Sequence, residues 1–375
     1  MLNSLDIKNY RNLKELKINS LRKVNLITGK NNTGKSTLLE AVAIYATKGD
    51  FRLINQLLEE RGETTKTMSE TLKDPIQANI KTFSSLFNNR AVGFDVIDAI
   101  SIGSIENTLF GEKTSSENSV FLRFVKYIDD INKDEQGNTT RKRRFLQDNS
   151  DTTEDYKIGF EMKLGDYSYV LSLDDDRLYR KFIMSPFNDN VQIVRTRNID
   201  KDINSSLFDS IALTDKEQNV INALKIIEPL TERIAFVEET PRKRNAVIKL
   251  SGSQSILPLQ SMGDGINRIL TIILALVNSD NGYLLIDEFE NGLHYTVQEK
   301  LWTIIFQLSN ELNIQVFATT HSEDCIRGFQ SALNNRENLS DGKLIRLDNE
   351  NGIIKQVEFD AKELKVADEQ GIEIR

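Results

Sequence analysis

The chain has 375 residues, a formal net charge of -8, 39% hydrophobic and 28% charged residues, which leaves room for one large core plus an insertion and gives no global push towards nucleic acid. Its single cysteine, Cys325, excludes an internal disulfide, and no apolar run approaches the ~20 residues that span a bilayer. The opening residues lack the continuous apolar core of a signal peptide, so the expected setting is cytoplasmic, reducing and free of membrane.

Val24-Asn25-Leu26-Ile27-Thr28 reads as a short buried strand that runs into Gly29-Lys30-Asn31-Asn32-Thr33-Gly34-Lys35-Ser36. That stretch fits G-x-x-x-x-G-K-[ST], and Leu38 to Tyr45 after it reads as a helix with a broad apolar face. Strand, glycine-bearing loop and helix N-terminus together bring backbone N–H groups and a partial positive charge to one point, which suits a polyphosphate. Gly29 and Gly34 let the backbone approach the phosphates. Lys35 is expected on the outer phosphates and Ser36 on Mg2+.

Residues 51–204 read as an insertion into this fold. Its first part, to about Lys81, is polar and helical in pattern, with a charged hinge at Arg61-Gly62-Glu63. Val92, Phe94 and Val96 alternate as in a half-buried strand, as do Phe121, Arg123, Val125 and Tyr127 less cleanly. Ile158-Phe160-Met162-Leu164, a turn at Gly165-Asp166 and Tyr167-Tyr169-Leu171-Leu173 form a hairpin of period two. Asp174-Asp175-Asp176 is expected to turn into a third strand ending near Met184, and Asp129 to Asp155 is expected to be mobile. The basic runs Arg141-Lys142-Arg143-Arg144 and Arg242-Lys243-Arg244 are expected as solvated loop tips; on one face they would permit non-specific, salt-sensitive DNA contact. No sustained heptads occur, so no long coiled-coil arm is expected.

Thr214-Asp215-Lys216-Glu217 has a capping-box pattern before a helix that Pro229 ends or kinks. A strand near Ile234 to Val237 and a hairpin about Gly252 lead to Ser261-Met262-Gly263-Asp264-Gly265. The following Ile266 to Val277 is so apolar that the helix must be largely buried, and its N-terminus makes a second anion site from Ser261, Gly263 and the first helical N–H groups.

Tyr283-Leu284-Leu285-Ile286 is an unbroken apolar run, as in a parallel strand buried on both faces, and delivers Asp287 and Glu288 at its C-terminal end. Asp287 is expected to hold Mg2+ through water, and Glu288 to orient and deprotonate the attacking water. Helical spacing from Val297 to Leu312 and the strand Ile314 to Ala318 complete a right-handed βαβ unit. It ends at Thr319, Thr320 and His321, where His321 is placed to donate to the terminal phosphate or the attacking water. A helix or two and a hairpin turning at Asn351-Gly352 follow, with Asp348, Glu350 and Asp360 read as exposed acids.

These stretches resemble the ABC-type ATPases of the OLD and AAA15 group, relatives of RecF, Rad50 and SMC heads. Leu5-Asp6-Ile7-Lys8-Asn9-Tyr10-Arg11 is similar to their L-x-I-x-N-[FY]-R start, Gly29 to Ala41 to their phosphate loop, and Asp287-Glu288-Phe289-Glu290-Asn291-Gly292-Leu293-His294 to their D-E-x-E-x-G-L-H-P. The resemblance covers the first 50 residues and about 130 at the C-terminal end. It implies an α/β P-loop NTPase of ABC-ATPase type with a mainly parallel core sheet, an antiparallel β subdomain and a mixed insertion, divided as 1–50, 51–204 and 205–375. It implies nucleotide contacts from Arg11, Asn31, Asn32, Thr33, Gly34, Lys35, Ser36 and Thr37, a signature of Ser261, Gly263, Asp264 and Gly265 closing on the partner subunit's nucleotide, Mg2+ held by Ser36 and Asp287, and catalysis by Glu288 with His321 as switch histidine.

Tyr295 stands where the group usually has proline, and the glutamine that completes the Mg2+ shell is not placed, Gln56 and Gln77 being candidates by position alone. Fewer than 60 residues follow His321, too few for the TOPRIM nuclease domain of OLD proteins. The expected function is slow, Mg2+-dependent ATP hydrolysis in a homodimer or larger even-numbered assembly, coupled to a separate nuclease or toxin effector in defence against phage or plasmids. A RecF-like repair clamp, a non-hydrolysing ATP-bound scaffold and a hexameric AAA+ motor stay open as alternatives.

Overall fold

The computed structural model describes residues 1–64, 74–108, 111–114, 118–133, 139–146, 155–174, 190–196, 201–240, 243–253, 255–335, 339–370 and 374. In chain order the strands are β1 (Leu5–Tyr10), β2 (Leu13–Ile18), β3 (Val24–Thr28), β4 (Ile100–Gly103), β5 (Ile105–Thr108), β6 (Gly111–Thr114), β7 (Val120–Lys133), β8 (Thr139–Leu146), β9 (Lys157–Leu164), β10 (Tyr167–Ser172), β11 (Val191–Val194), β12 (Thr231–Thr240), β13 (Lys243–Leu250), β14 (Ile256–Pro258), β15 (Tyr283–Ile286), β16 (Gln315–Thr319), β17 (Gly342–Glu350) and β18 (Ile353–Phe359). The helices are α1 (Lys35–Ala46), α2 (Phe51–Glu60), α3 (Pro75–Ser84), α4 (Lys201–Asp209), α5 (Asp215–Ile227), α6 (Asp264–Val277), α7 (Tyr295–Glu311), α8 (Glu323–Asn334) and α9 (Ala361–Glu369).

One sheet has the order β11-β15-β16-β3-β17-β18. Its first five strands are mutually parallel, and β18 returns antiparallel beside β17. Successive side chains on a strand point to opposite faces, which explains why these apolar runs serve two cores. Leu26, Leu284, Ile286, Val316 and Ala318 pack with α6, α7 and α8 on one side. Ile27, Leu285, Phe317 and Ile345 pack with α1 and the second sheet on the other. At about 25 cal/mol per Å2, burying each of these side chains larger than alanine stabilises by about 1.5–3 kcal/mol. Asn351 and Gly352, at φ 55° and 87°, make the tight β17–β18 turn that Asn-Gly favours.

The second sheet runs β10-β9-β7-β4-β1-β2, with β8 paired to β7. Strands from 51–204 thus extend the N-terminal β1–β2 hairpin, and β11, also from that stretch, lies against β15 in the first sheet. A three-stranded sheet, β12-β13-β14, leads into α6. The β9–β10 hairpin and the helices either side of Arg61-Gly62 follow the sequence expectation.

Several local expectations change. Val92 to Val96 forms no strand; Phe94 packs edge-on to Phe124 while Val96 is 71% exposed. The run Arg141 to Arg144 lies on β8 and not at a loop tip, because β7 offers acids opposite it: Arg143 pairs with Asp129 at 3.0 Å and Arg144 with Asp130 at 3.6 Å. Within Asp129 to Asp155, the described residues are therefore largely strand. Of the second basic run, Arg244 ion-pairs with Asp209, and Arg242 lies outside the described residues, as does the third strand expected before Met184. At Thr214 the capping box is displaced by one residue: Glu217 accepts from the Leu213 N–H, and the Thr214 hydroxyl donates back to the Ile211 carbonyl. Asp348 pairs with Arg346, and Asp360 caps α9 through the Lys362 and Glu363 N–H groups. Among the described residues, no helix is long and apolar enough to cross a membrane.

Candidate functional site

β3 ends at Gly29, whose φ of 141° brings the loop hard against β17: an added Cβ would fall 2.3 Å from the Leu347 carbonyl oxygen. Asn32 is left-handed at φ 61°, Asn31 is exposed, and the Thr33 hydroxyl donates to the Lys30 carbonyl at 2.9 Å. Gly34, at φ 88°, caps α1 without any side-chain hydrogen bond. The first N–H groups of a helix have no partner inside it, so those of α1 face the concavity of the loop. Lys35 is buried there, its Nζ donating to the carbonyls of Gly29 (2.7 Å) and Lys30 (2.8 Å). Burial lowers its pKa to about 8, against the pull of Asp287, Glu290 and Glu288, which favour the ammonium. Thr37 is buried in the first turn, and Ser36 is exposed towards β15.

β15 and β16 lie side by side and deliver their ends to this loop. The Asp287 Oδ1 accepts from the Ser36 hydroxyl at 3.2 Å and the Thr319 hydroxyl at 2.8 Å. Thr319 also accepts from the Glu288 N–H at 2.8 Å, so one hydroxyl fixes both carboxylate-bearing residues. Glu288 sits at φ 47°, a conformation side-chain-bearing residues rarely adopt and one met at functional sites. Glu290 accepts from the Thr320 hydroxyl (2.8 Å) and the His321 N–H (2.7 Å). This holds the histidine loop against the acidic segment. Phe289, between the acids, stacks on Trp302 of α7 at 4.0 Å.

Ser36 and Asp287 present adjacent hard oxygen donors. Mg2+ is held by one or two carboxylates together with substrate phosphates and water, and no group of three or more His, Cys, Asp or Glu suited to a metal occurs among the described residues. The donor pair therefore fits Mg2+ bound with a nucleotide.

A second opened helix start lies at α6. Gly263, at φ 101°, caps it without a side-chain hydrogen bond, and nothing lies within 4 Å of where its Cβ would be. Ser261 is exposed, its hydroxyl donating to the Pro258 carbonyl at 2.7 Å. A Cβ on Gly265 would come 2.9 Å from the Gly292 carbonyl oxygen, so this helix start packs on the segment after Glu290. Asp264 opens α6, but its side chain lies outside the described ones. Among the described residues, no hydrogen bond or ion pair joins 261–265 to the phosphate loop of the same chain.

Arg11 is buried between α1 and the turn after α2. Its guanidinium ion-pairs with Glu40 (3.0 Å) and Glu63 (2.8 Å), and this enclosure holds its charge firmly. Its neighbour Asn12 lies against Gly34. Gln56 bonds Glu60 on an exposed face, and Gln77 sits on α3, so neither is brought to Asp287. Arg195 and Thr196 follow β11, the strand beside β15, and the Thr196 hydroxyl donates to the Asp287 carbonyl at 3.4 Å. Thr319 and Glu290, which the sequence placed in these stretches without a role of their own, and Arg268, which it did not single out, shape the site. Arg268, on α6, donates from Nη2 to the carbonyls of Asp287 (2.9 Å) and Glu288 (3.3 Å) and from Nη1 to that of Arg195 (2.6 Å). A lone arginine in an apolar helix was the signal that could have found it, since buried charges require partners.

A family model described as "AAA domain, putative AbiEii toxin, Type IV TA system" matches residues 24–324. A Helicobacter pylori protein named "ATP/GTP phosphatase" is 26% identical over 366 residues, 92% of each chain. "DNA replication and repair protein RecF" from Oenococcus oeni is 31% identical over 116 residues, 29% of this chain and 31% of RecF. Among solved structures, the Smc head bound to the C-winged helix domain of ScpA aligns over 96% of this chain and 97% of that one, at 14% identity and a TM-score of 0.49.

Proposed function

Since this chain belongs to that family of AAA domains, described as putative AbiEii toxins of type IV toxin–antitoxin systems, we propose that it is a cytoplasmic, Mg2+-dependent ABC-type ATPase that closes as a dimer around two ATP molecules. The observation that carries this reading is the convergence of Ser36, Asp287 and Thr319 beside Lys35, at the mouth of an uncapped helix. The name of the Helicobacter relative supports hydrolysis. The second opened helix start, with exposed Ser261 and Gly263, supports a site completed by another copy, because no described residue of its own chain lies within 4 Å of a Cβ at Gly263.

In this reading the phosphate loop and Lys35 hold the β- and γ-phosphates. Glu288 takes a proton from the attacking water; the water oxygen bonds the γ-phosphorus as the bond to the β–γ bridging oxygen breaks, and ADP leaves. His321 donates to the γ-phosphate, and Ser36 and Asp287 would hold the Mg2+ that offsets charge developing on the phosphates. Turnover is slow, and the open or closed state is passed to a separate effector, a nuclease or toxin, in prokaryotic defence.

The test is light scattering and phosphate release for wild type and Glu288→Gln, with and without ATP and Mg2+. Hydrolysis should fall by about 10²–10⁴-fold while the variant accumulates an ATP-bound dimer or larger even-numbered assembly. A variant that stays monomeric, or assembles equally without ATP, refutes the sandwich and leaves the scaffold reading. The RecF similarity favours one alternative, an ATP-dependent DNA clamp. Tight ATP-dependent binding to gapped duplex would establish that instead.

A further inference from the structure

Arg268 is 1% exposed, and the hydrogen bonds of its guanidinium all go to backbone carbonyls. Its three acceptors are the backbone carbonyls of Arg195, Asp287 and Glu288, at the C-terminal ends of two adjacent strands. Desolvating the guanidinium is costly, the nearby carboxylates of Asp287, Glu288 and Glu290 offset only part of that cost, and an apolar side chain of similar volume would pack such a helix with less desolvation. The arrangement has a geometric effect that packing would not supply. Glu288, at φ 47°, is gripped on its N–H by Thr319 and on its carbonyl by Arg268, so the direction of its carboxylate depends on both. Arg268 also stands about one helical turn from Gly263 and Gly265 at the start of α6, and one turn is ~5.4 Å along the axis. A rigid lever therefore joins the signature turn to the backbone of the catalytic base.

We propose that Arg268 is a positioning residue that couples occupancy of the signature turn to the alignment of Glu288 in the same subunit. This rests on the dimeric sandwich: ATP carried by the partner seats on Ser261 and Gly263, α6 settles, and Arg268 sets the carbonyls of Asp287 and Glu288. Each subunit's base is then aligned by the nucleotide its partner carries, so hydrolysis requires both sites filled.

The experiment compares wild type, Arg268→Met and Arg268→Lys in steady-state hydrolysis over a range of ATP concentrations. ATP-dependent assembly of Glu288→Gln, alone and combined with Arg268→Met, is measured in parallel. For Arg268→Met, kcat should fall by about 10²-fold, KM should stay within about threefold, and the Hill coefficient should drop from above one to one. Arg268→Lys should recover part of kcat, because an ammonium retains donors for one or two of the carbonyls. The double variant should still assemble with ATP. A kcat within about threefold of wild type, or a loss of ATP affinity and assembly that accounts for the whole loss of rate, overturns the proposal and leaves Arg268 a packing residue. Should Arg268→Met fail to fold, as judged by circular dichroism, the same split between kcat, KM and Hill coefficient is read from Arg268→Lys. If Glu288→Gln alone fails to assemble with ATP and the wild type shows a Hill coefficient of one, the sandwich itself falls and this proposal with it, whereas assembly of Glu288→Gln with an unchanged kcat in Arg268→Met overturns the proposal alone.

Discussion

Lys35 carries a prediction that can be worked from the structure. Burial in the phosphate loop holds its ammonium at about 8, well below the ordinary lysine value. The phosphates of a bound nucleotide favour the charged form, so ATP selects protonated Lys35. From about pH 7 to about pH 9 the charged fraction falls from roughly nine tenths to one tenth, which weakens affinity roughly tenfold, or about 1.4 kcal/mol. Binding near pH 8.5 should accordingly draw a proton from solvent. The assay is calorimetric titration with a non-hydrolysable ATP analogue in two buffers of different ionisation enthalpy. Heat that depends on the buffer, with the sign of proton uptake, is the expected result. Glu288→Gln removes one charge that favours the ammonium and should shift the affinity loss to lower pH. Flat affinity across this range, or buffer-independent heat, refutes the reasoning. The same shift has the opposite sign for stability: between about 8 and the ordinary lysine value the unfolded chain binds more protons than the folded one, so this group's contribution to stability rises with pH across that window.

Gly29→Ala should cost about 1–3 kcal/mol of loop distortion, because its methyl would meet the Leu347 carbonyl at 2.3 Å and the Thr33 hydroxyl at 2.8 Å. Equilibrium ATP binding should weaken accordingly, and unchanged affinity would show that the loop can yield. Thr319→Val removes the donor to Asp287 and leaves the Glu288 N–H unpaired. The unsatisfied groups should lower stability by about 1–3 kcal/mol and the thermal midpoint by a few degrees, with a matching loss of Mg2+-dependent turnover; an unaltered midpoint would mean that water replaces the hydroxyl.

The phosphate loop, the acidic strand end and the buried helix after Ser261 were legible because each combines a composition with a periodicity: an apolar run of known length leading to glycine or acid. What escaped was decided by partners distant in sequence. Thr319 looks like any residue at a strand end until Asp287 is beside it. The basic run on β8 reads as a solvated tip because its neutralising acids, Asp129 and Asp130, stand across the hairpin. The ion pairs of Arg11 with Glu40 and Glu63 were not legible either, because 29 and 52 residues separate the partners in sequence. β11 went unnoticed as a core strand because four residues, Val191 to Val194, carry too little pattern to distinguish a sheet strand from a loop.

The position of β3 in its sheet bears on how the protein is made. β3 leaves the ribosome long before its two neighbours, β16 and β17, which end at Thr319 and Glu350. At roughly 5–20 residues per second, about 15–60 s pass between the emergence of β3 and that of its first partner. Throughout that interval the phosphate loop hangs from an apolar strand with no edge to join. The ATP site consequently cannot form before β16 has emerged, and a chain stalled before β16 would expose Leu26 and Ile27 to chaperones and proteases.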